Sequence, residues 1–282
     1  MALSLENTIT IGFLNIHGQS GLPVTKQKQI EDFIRRNNLD ILNCQEINIE
    51  EEKFSQCNFL SSNYTVISNN AQKKYGTATI YKNNFSVENF KLDTQGRGIF
   101  YNIENLTIGN VYLHSGTDGN SRGAREQYCS ETIPQLLVNC KDSGLCGGDL
   151  NCIINSQDCT NNPESKKSPS LARLVRTFSQ VDSYRTLHPN GQAFSRYYTS
   201  NGNSGASRID RCYQWGNISS LSVDYLSVAF SDHLGLVVKV SLPGLDKINS
   251  PSSRPLFKTS PEVIFDRVFK ERLVREMEGR GR

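Results

Sequence analysis

The feature that most constrains this chain is a repeated one: short apolar strand patterns, each meeting a polar side chain able to do chemistry. Thr8-Ile9-Thr10-Ile11-Gly12-Phe13-Leu14 ends at Asn15, and Leu39 to Gln45 ends at Glu46. Ile108-Gly109-Asn110-Val111 closes on Tyr112, Gly147-Gly148 leads into Asp149 and Asn151, and Ser207-Arg208-Ile209 leads into Asp210. Ser231-Asp232-His233 stands at the head of the run Leu234 to Val240. One His or Asn beside a strand is usually structural or simply exposed. Six such placements describe strands that deliver side chains to a common rim, which requires sheets rather than a helical bundle.

The segments between the strands alternate in kind. Ile30, Phe33 and Ile34 make an apolar stripe at helical spacing within Lys26 to Asn37. Short strand patterns recur at Tyr64–Ile67, Tyr75–Tyr81, Ile99–Ile103, Leu106–Tyr112 and Leu145–Gly148. Helices are expected from about Arg122 to Asn139, despite Pro134, and over Ser170 to Phe178, with Ser168 and Pro169 at the cap and first turn. Tyr197 to Gly205 reads as a hairpin with an Asn201-Gly202 turn. The expected fold is therefore α/β, a four-layer sandwich of two mixed β-sheets packed face to face with helices outside.

That domain is expected over residues 1–243. A linker of Pro, Ser and Asn composition follows over 244–259. Ser260-Pro261 then opens an amphipathic helical extension over 260–282, with Phe265, Phe269, Leu273 and Met277 on one face.

Charge matters here by location. The net +3 of the 282 residues comes from residues 241–282, which carry nine Lys/Arg against six Asp/Glu. The first 240 are balanced at 22 of each sign, which argues against a uniformly basic nucleic-acid binder. A local basic rim is still expected from Arg122, Arg125, Lys166, Lys167, Arg173, Arg176, Arg196, Arg208 and Arg211, beside loops. The eight cysteines lack CxxC spacing and read as free thiols in a reducing compartment. No signal peptide or membrane-length apolar run stands out, so the expected setting is intracellular, without a membrane partner.

In order and spacing, Leu14-Asn15-Ile16, Gln45-Glu46, Asn110-Val111-Tyr112, Gly148-Asp149-Leu150-Asn151, Ile209-Asp210 and Ser231-Asp232-His233 resemble the endonuclease/exonuclease/phosphatase superfamily, which includes DNase I-like and apurinic-type endonucleases. Within it, Gly147 to Asn155 is most similar to the endonuclease domain of LINE-type, non-LTR retrotransposon polyproteins. Ser253 to Leu273 is similar to the connector that precedes the reverse transcriptase in them. Two departures are visible. Asp158 is followed by Cys159 where an Arg is common, so a DNA-backbone contact by such an Arg is not expected. Leu150 stands where Phe is usual, a tolerable apolar swap.

The resemblance implies the same four-layer fold and a catalytic set of Asn15, Glu46, Tyr112, Asp149, Asn151, Asp210 and His233. Mg²⁺, with Mn²⁺ as a substitute, is implied at Glu46 with Asn15 orienting it, and Asp232 as a further ligand. Such a hard cation binds through one or two carboxylates and keeps most of its waters. Asp149 and Asn151, two apart, can project to one face, which suits activation of a water. An Asp210 carboxylate on His233 Nδ1 would fix its tautomer and stabilise the imidazolium. Tyr112 offers a phenol to a phosphate oxygen. Ser195, Arg125, Arg196, Tyr197, Asn201, Arg208 and Ser231 are the expected substrate contacts.

The function this implies is a Mg²⁺-dependent endonuclease that nicks double-stranded DNA and leaves a 3′-hydroxyl to prime reverse transcription. Its expected partners are a linked reverse transcriptase and the element's RNA, in the nucleus. Two alternatives stand beside it. One is another phosphoesterase on the same scaffold: an apurinic-site endonuclease, a deadenylase-type ribonuclease, or an inositol or lipid phosphatase. The other is a non-catalytic transposon relic. A projecting polar and aromatic hairpin suits a DNA groove better than a small headgroup, and the intact polar set argues against decay.

Overall fold

The computed structural model describes residues 8–18, 23–48, 63–70, 75–200 and 203–241. Among them, two six-stranded sheets carry the fold. The first contains β1 (Thr8–Asn15), β2 (Ile41–Gln45), β3 (Tyr64–Asn69), β4 (Thr77–Lys82), β13 (Ser219–Leu226) and β14 (Gly235–Ser241) in the order β13-β14-β1-β2-β4-β3. The second contains β5 (Val87–Leu92), β6 (Gly98–Ile103), β7 (Leu106–Tyr112), β8 (Ser143–Asp149), β9 (Val181–Asp182) and β12 (Asp210–Trp215) in the order β5-β6-β7-β8-β12-β9. Each sheet has one parallel pair, β1 with β2 and β7 with β8, and is otherwise antiparallel. The sandwich with mixed sheets matches the expectation. The expected linker and C-terminal helix lie outside the described residues.

Three apolar layers hold these sheets. Ile9, Ile11, Phe13 and Ile41 of the first sheet meet Ile99, Tyr101, Ile103, Ile108 and Leu145 of the second, all buried. The opposite faces of the same strands are covered by helices, as alternation along a strand requires when both faces are buried. On the first sheet, α1 (Val24–Arg36) lays Ile30, Phe33 and Ile34 on Leu14, Leu42 and Ile80. On the second, Tyr128, Ile133, Leu137, Leu171 and Leu174 pack over Phe100, Val111 and Cys146.

The helix expected from Arg122 to Asn139 is three segments. α2 (Gly119–Gln127) starts earlier, capped by Asp118, whose Oδ1 accepts from the Ser121 amide at 2.9 Å. A π-helical turn follows at Tyr128–Thr132, and α3 (Ile133–Leu137) carries Pro134 in its first turn. Proline is tolerated there because its missing N–H interrupts no established α-ladder. α4 (Pro169–Thr177) is capped as expected, the Leu171 amide donating to Ser168 Oγ at 3.1 Å. β5 and the short α5 (Ser183–Leu187) escaped the sequence reading, since Val-Glu-Asn-Phe-Lys-Leu and Ser-Tyr-Arg-Thr-Leu lack a long periodic run. Seven of the eight cysteines are described and free; Cys57 lies outside the described residues.

Three arginines assigned to the basic rim are inside instead. Arg208 is wholly buried, with Nε and Nη2 on the Asp158 carboxylate at 2.9 and 3.1 Å and Nη1 and Nη2 on Asp182 at 3.1 and 2.7 Å. Arg211 is buried and donates to the Cys152 carbonyl. Arg125 is buried and donates to the His114 and Gly116 carbonyls. Arg125 and Arg208 are therefore corrected from substrate contacts to internal braces. Burial alone would raise the Asp158 carboxyl, but Arg208, Arg211 and Arg185 around it hold it below the usual range. That stabilisation is fully present above the ordinary value of 3.8 and is lost as the pH falls through the lower folded one. Arg208→Ala removes the buried cation shared by two carboxylates, leaving Asp158 to Arg185 and Arg211 and Asp182 to the Tyr184 and Arg185 amides, and should cost about 3–5 kcal/mol in denaturant unfolding at pH 7. A loss under 1 kcal/mol would remove the brace assignment.

Candidate active site

The site is a consequence of strand register. In the second sheet, Tyr112 on β7 lies directly opposite Asp149 on β8, and Asp149 lies opposite Asp210 on β12. β12 runs antiparallel to β8, so its first residue reaches the rim where β7 and β8 end. In the first sheet Asn15 pairs with Gln45, which sets Glu46 at the same kind of edge. The approach of these elements depends on Gly148, whose φ is +133°; a Cβ there would stand 2.1 Å from the Val111 carbonyl oxygen. Only glycine fits that position.

Hydrogen bonds then join the sheets across the rim. The Asn15 amide nitrogen donates to Glu46 Oε2 at 3.0 Å and to Asp149 Oδ2 at 2.9 Å. Tyr112 donates its hydroxyl to the same Glu46 oxygen at 3.3 Å. The Asn151 backbone N–H donates to Asp149 Oδ1 at 3.0 Å, and its side chain donates to the Leu113 carbonyl at 2.9 Å. Glu46 and Asn151 both take left-handed backbone, φ +55° and +49°. Such conformations are uncommon outside glycine and persist where surrounding structure holds them. Beneath this layer Gln45 is fully buried and donates to Asn110 Oδ1 at 2.7 Å, so it ties the sheets together.

Asp210 and His233 form a buried pair with Asp210 Oδ2 2.8 Å from Nδ1, and Nε2 faces Asp149 Oδ2 at 4.0 Å. Burial disfavours the imidazolium, but the Asp210 and Asp149 carboxylates outweigh it and raise His233 to about 9. The Asp149 carboxyl is raised to about 6, first by burial and then by Asp210. Near neutral pH the site therefore offers a cationic imidazole beside a carboxylate that titrates close to its working range, the usual signature of acid–base machinery.

The remaining expected residues fall into place differently. Ser231 is a brace: its hydroxyl donates to the Asn15 carbonyl at 2.7 Å and accepts from the His233 amide at 3.1 Å. Ser195, expected at the substrate, is buried, and its Oγ accepts from the Ile209 and Asp210 amides at 3.0 and 2.9 Å. It positions Asp210 and is out of reach of a ligand. Asp232, expected as a metal ligand, spends Oδ2 on Arg196 at 3.0 and 2.9 Å. Arg196 is thus neutralised locally, while Tyr197 beside it is 60% exposed. β10 (Arg196–Ser200) and β11 (Asn203–Ser207) form the expected hairpin, with Asn201 outside the described residues. His17, absent from the sequence reading, stands between Glu46 and Asp232 with Nδ1 3.9 and 3.8 Å from their oxygens. No periodicity marks it; only the fold brings it there.

Two donor sets could hold a cation. Ligand atoms of Asp149, Asp210 and His233 lie within 4.8 Å of one another; both Asp149 oxygens and the Asp210 Oδ2–His233 Nδ1 pair are already engaged, which leaves Asp210 Oδ1 buried without a hydrogen-bond partner among the described residues. Glu46 is the freer group. Its side chain keeps 24% exposure, and among the described residues Oε1 has only long contacts, 3.5 Å from the Asn48 amide nitrogen and 3.9 Å from His17 Nδ1. A partly exposed carboxylate held from behind by Asn15 and Tyr112 fits a hard divalent cation that retains its waters.

The fold is shared with solved nucleic-acid enzymes. An AP endonuclease from Leishmania major superposes with a TM-score of 0.71 at 17% identity, covering 86% of this chain and 90% of that one. An AP endonuclease from Archaeoglobus fulgidus gives 0.65 at 19%, covering 82% and 98%. A 3′–5′ exonuclease from Neisseria meningitidis gives 0.65 at 19%, covering 83% and 100%. At the level of sequence, the pattern of the endonuclease/exonuclease/phosphatase family matches residues 12–233, a span that runs from β1 to the catalytic histidine candidate. The chain belongs to the endonuclease/exonuclease/phosphatase family.

Proposed function

We propose that this chain is a Mg²⁺-dependent endonuclease that hydrolyses DNA phosphodiester bonds, leaving a 3′-hydroxyl. The observation that carries this reading is the single Asn15 amide shared by Glu46 and Asp149, opposite the Asp210–His233 pair. It supports a reading in which Glu46 holds the cation, Asp149 titrates and His233 is the imidazolium, around one point. Bound at Glu46, Mg²⁺ would neutralise charge on the phosphate oxygens. Asp149, fixed by Asn15 and Asn151, receives the proton of the attacking water as the water's oxygen bonds to phosphorus and the P–O3′ bond breaks, the departing 3′-oxygen taking a proton from solvent water. His233, held protonated by Asp210, donates its Nε2 hydrogen bond to a phosphoryl oxygen as charge builds there. Tyr112, itself buried, holds Glu46 in place through its hydroxyl.

The family comprises nucleases and phosphatases, and relatives of this fold are described as acting on DNA. That supports a DNA substrate over an inositol or lipid headgroup. The finer assignment to a LINE-type polyprotein, with a linked reverse transcriptase, element RNA and a nuclear site of action, rests on Gly147 to Asn155 and on the sequence after Ser253. Among the described residues no helix is long and apolar enough to cross a membrane.

The test is incubation with supercoiled plasmid. Relaxed circles with 3′-hydroxyl ends should form with Mg²⁺ and vanish with EDTA. Absence of nicking on intact plasmid, with cleavage only at abasic sites, would move the chain to the apurinic-site reading. Choice of site must come from outside the charged centre, which meets the same phosphate everywhere. Tyr197 on β10 is the proposed groove contact, and its exposure supports that role. Tyr197→Ala should redistribute nicks while keeping the Mg²⁺ requirement and most of the rate. An unchanged cleavage map would take specificity away from this strand.

A further inference from the structure

A third aromatic element adjoins the site and has no part in the chemistry above. Tyr75 is 37% exposed, and its ring centroid lies 6.2 Å from that of Tyr112. The Arg97 guanidinium lies 4.4 Å from the Tyr75 ring and 5.1 Å from the Tyr112 ring, while Arg97 itself is buried and donates to the Tyr112 carbonyl at 3.2 Å. A buried cation is thus shared by two tyrosine faces, one at the reacting centre and one at the surface.

The backbone around Tyr75 is held at a cost. Its φ is +78°, a region that bulky side chains rarely occupy, and Gly76 follows at +54°. Asn48 fastens the turn: its Oδ1 accepts from the Tyr75 amide at 2.6 Å, and its own amide donates to the Tyr75 carbonyl at 3.4 Å. The Asn48 side-chain nitrogen donates to the Gly18 carbonyl and reaches Glu46 Oε1 at 3.5 Å. The exposed ring is therefore tied to the same segment that carries Glu46. An unusual conformation stabilised to present an exposed aromatic ring beside a site suggests a ligand for that ring.

We propose that Tyr75 is the stacking platform for the nucleobase adjoining the scissile phosphate. The inference rests on the nuclease reading. A phosphodiester leaves two nucleosides flanking the reacting centre, and a ring one residue's breadth from Tyr112 meets one of them. Stacking on an aromatic face is tolerant of base identity, because every base offers a flat π surface. Arg97 fixes the plane of the ring from behind, so little freedom is lost when a base settles on it. Tyr75 is a positioning residue: it touches substrate at the base and takes no part in proton transfer.

The test uses labelled DNA oligonucleotides, single-stranded and duplex, containing a nick position mapped on plasmid. At each position flanking the cleaved bond, thymine is compared with 5,6-dihydrothymine, which keeps the pairing edge but is not planar. Wild type should prefer the planar base at one flank by about 5- to 100-fold in kcat/KM, carried mainly by KM. Tyr75→Leu keeps apolar cover on Arg97 without a π face, and should lose that preference while retaining kcat. Tyr75→Phe and Tyr75→Trp should restore it. Equal treatment of the two bases by wild type, or a Tyr75→Leu loss that falls on kcat alike for both, would overturn the platform. Failure of wild type to cleave any of these DNAs would instead overturn the nuclease reading on which it stands.

Discussion

Asp149→Ala is expected to lower the Mg²⁺-supported nicking rate by about 10²- to 10⁴-fold while leaving the protein folded. Asp149 Oδ2 accepts from Asn15, and Oδ1 accepts from the Asn151 amide, so the carboxylate is aimed before any substrate arrives. Burial and the neighbouring Asp210 raise its carboxyl to about 6, so its ionised form is stabilised less in the folded protein than in the unfolded chain. The sign follows. Its contribution favours folding below the ordinary value of 3.8 and is lost as the pH rises through about 6. The alanine variant should therefore lose less stability than wild type between pH 4 and pH 7 while losing nearly all activity. Unfolding midpoints at the two pH values, read beside initial nicking rates, check both halves. Wild-type nicking in Asp149→Ala would end its assignment as the water's proton acceptor.

Such a residue was legible in the sequence because strand register does the assembling. Tyr112, Asp149 and Asp210 sit on neighbouring strands in direct opposition, and each stands at a strand end in the sequence. The same logic placed Asn15 and Glu46. It failed for Arg125, Arg208 and Arg211, which look like rim charges because they neighbour loops. Their partners are remote: Asp158 is 50 residues from Arg208, and Asp182 is 26. A charge is read as solvated until its counter-charge is known, and only the folded chain supplies that. Asp158 shows why. Arg185 and Arg208 close on its carboxylate from distant parts of the chain and hold it as an internal anchor. Ser195 was placed near the site correctly in position and wrongly in role, since a hydroxyl aligned with the centre can serve the backbone behind it. His17 and Tyr75 carry left-handed backbone, at +45° and +78°, which no propensity for His or Tyr foretells.

The second large effect concerns Asp210 and His233, and it separates a working unit from two neighbours. The 2.8 Å contact at Nδ1 commits that nitrogen to Asp210, so Nε2 alone is left to face Asp149 and the substrate. Removing either member destroys the same function: without Asp210 the imidazole loses its orientation and charge, and without His233 the carboxylate has nothing to orient. Each single alanine variant should lose about 10²- to 10⁴-fold in nicking, and the double variant should be barely worse than either. The charge itself can be followed apart from activity. The Asp210 and Asp149 carboxylates overcome the burial penalty and raise His233 to about 9. The stabilisation from this pair is thus complete below the ordinary value of 6.5 and is lost as the pH rises through about 9. Asp210→Asn keeps a hydrogen-bonding group and removes the charge, so His233 should titrate markedly lower in an NMR pH series recorded in EDTA. The alkaline limb of activity measured with Mg²⁺ should move the same way. Multiplicative losses in the double variant, with an unmoved His233 titration in Asp210→Asn, would show that the two residues act separately, and would leave His233 without the partner that keeps it cationic at neutral pH.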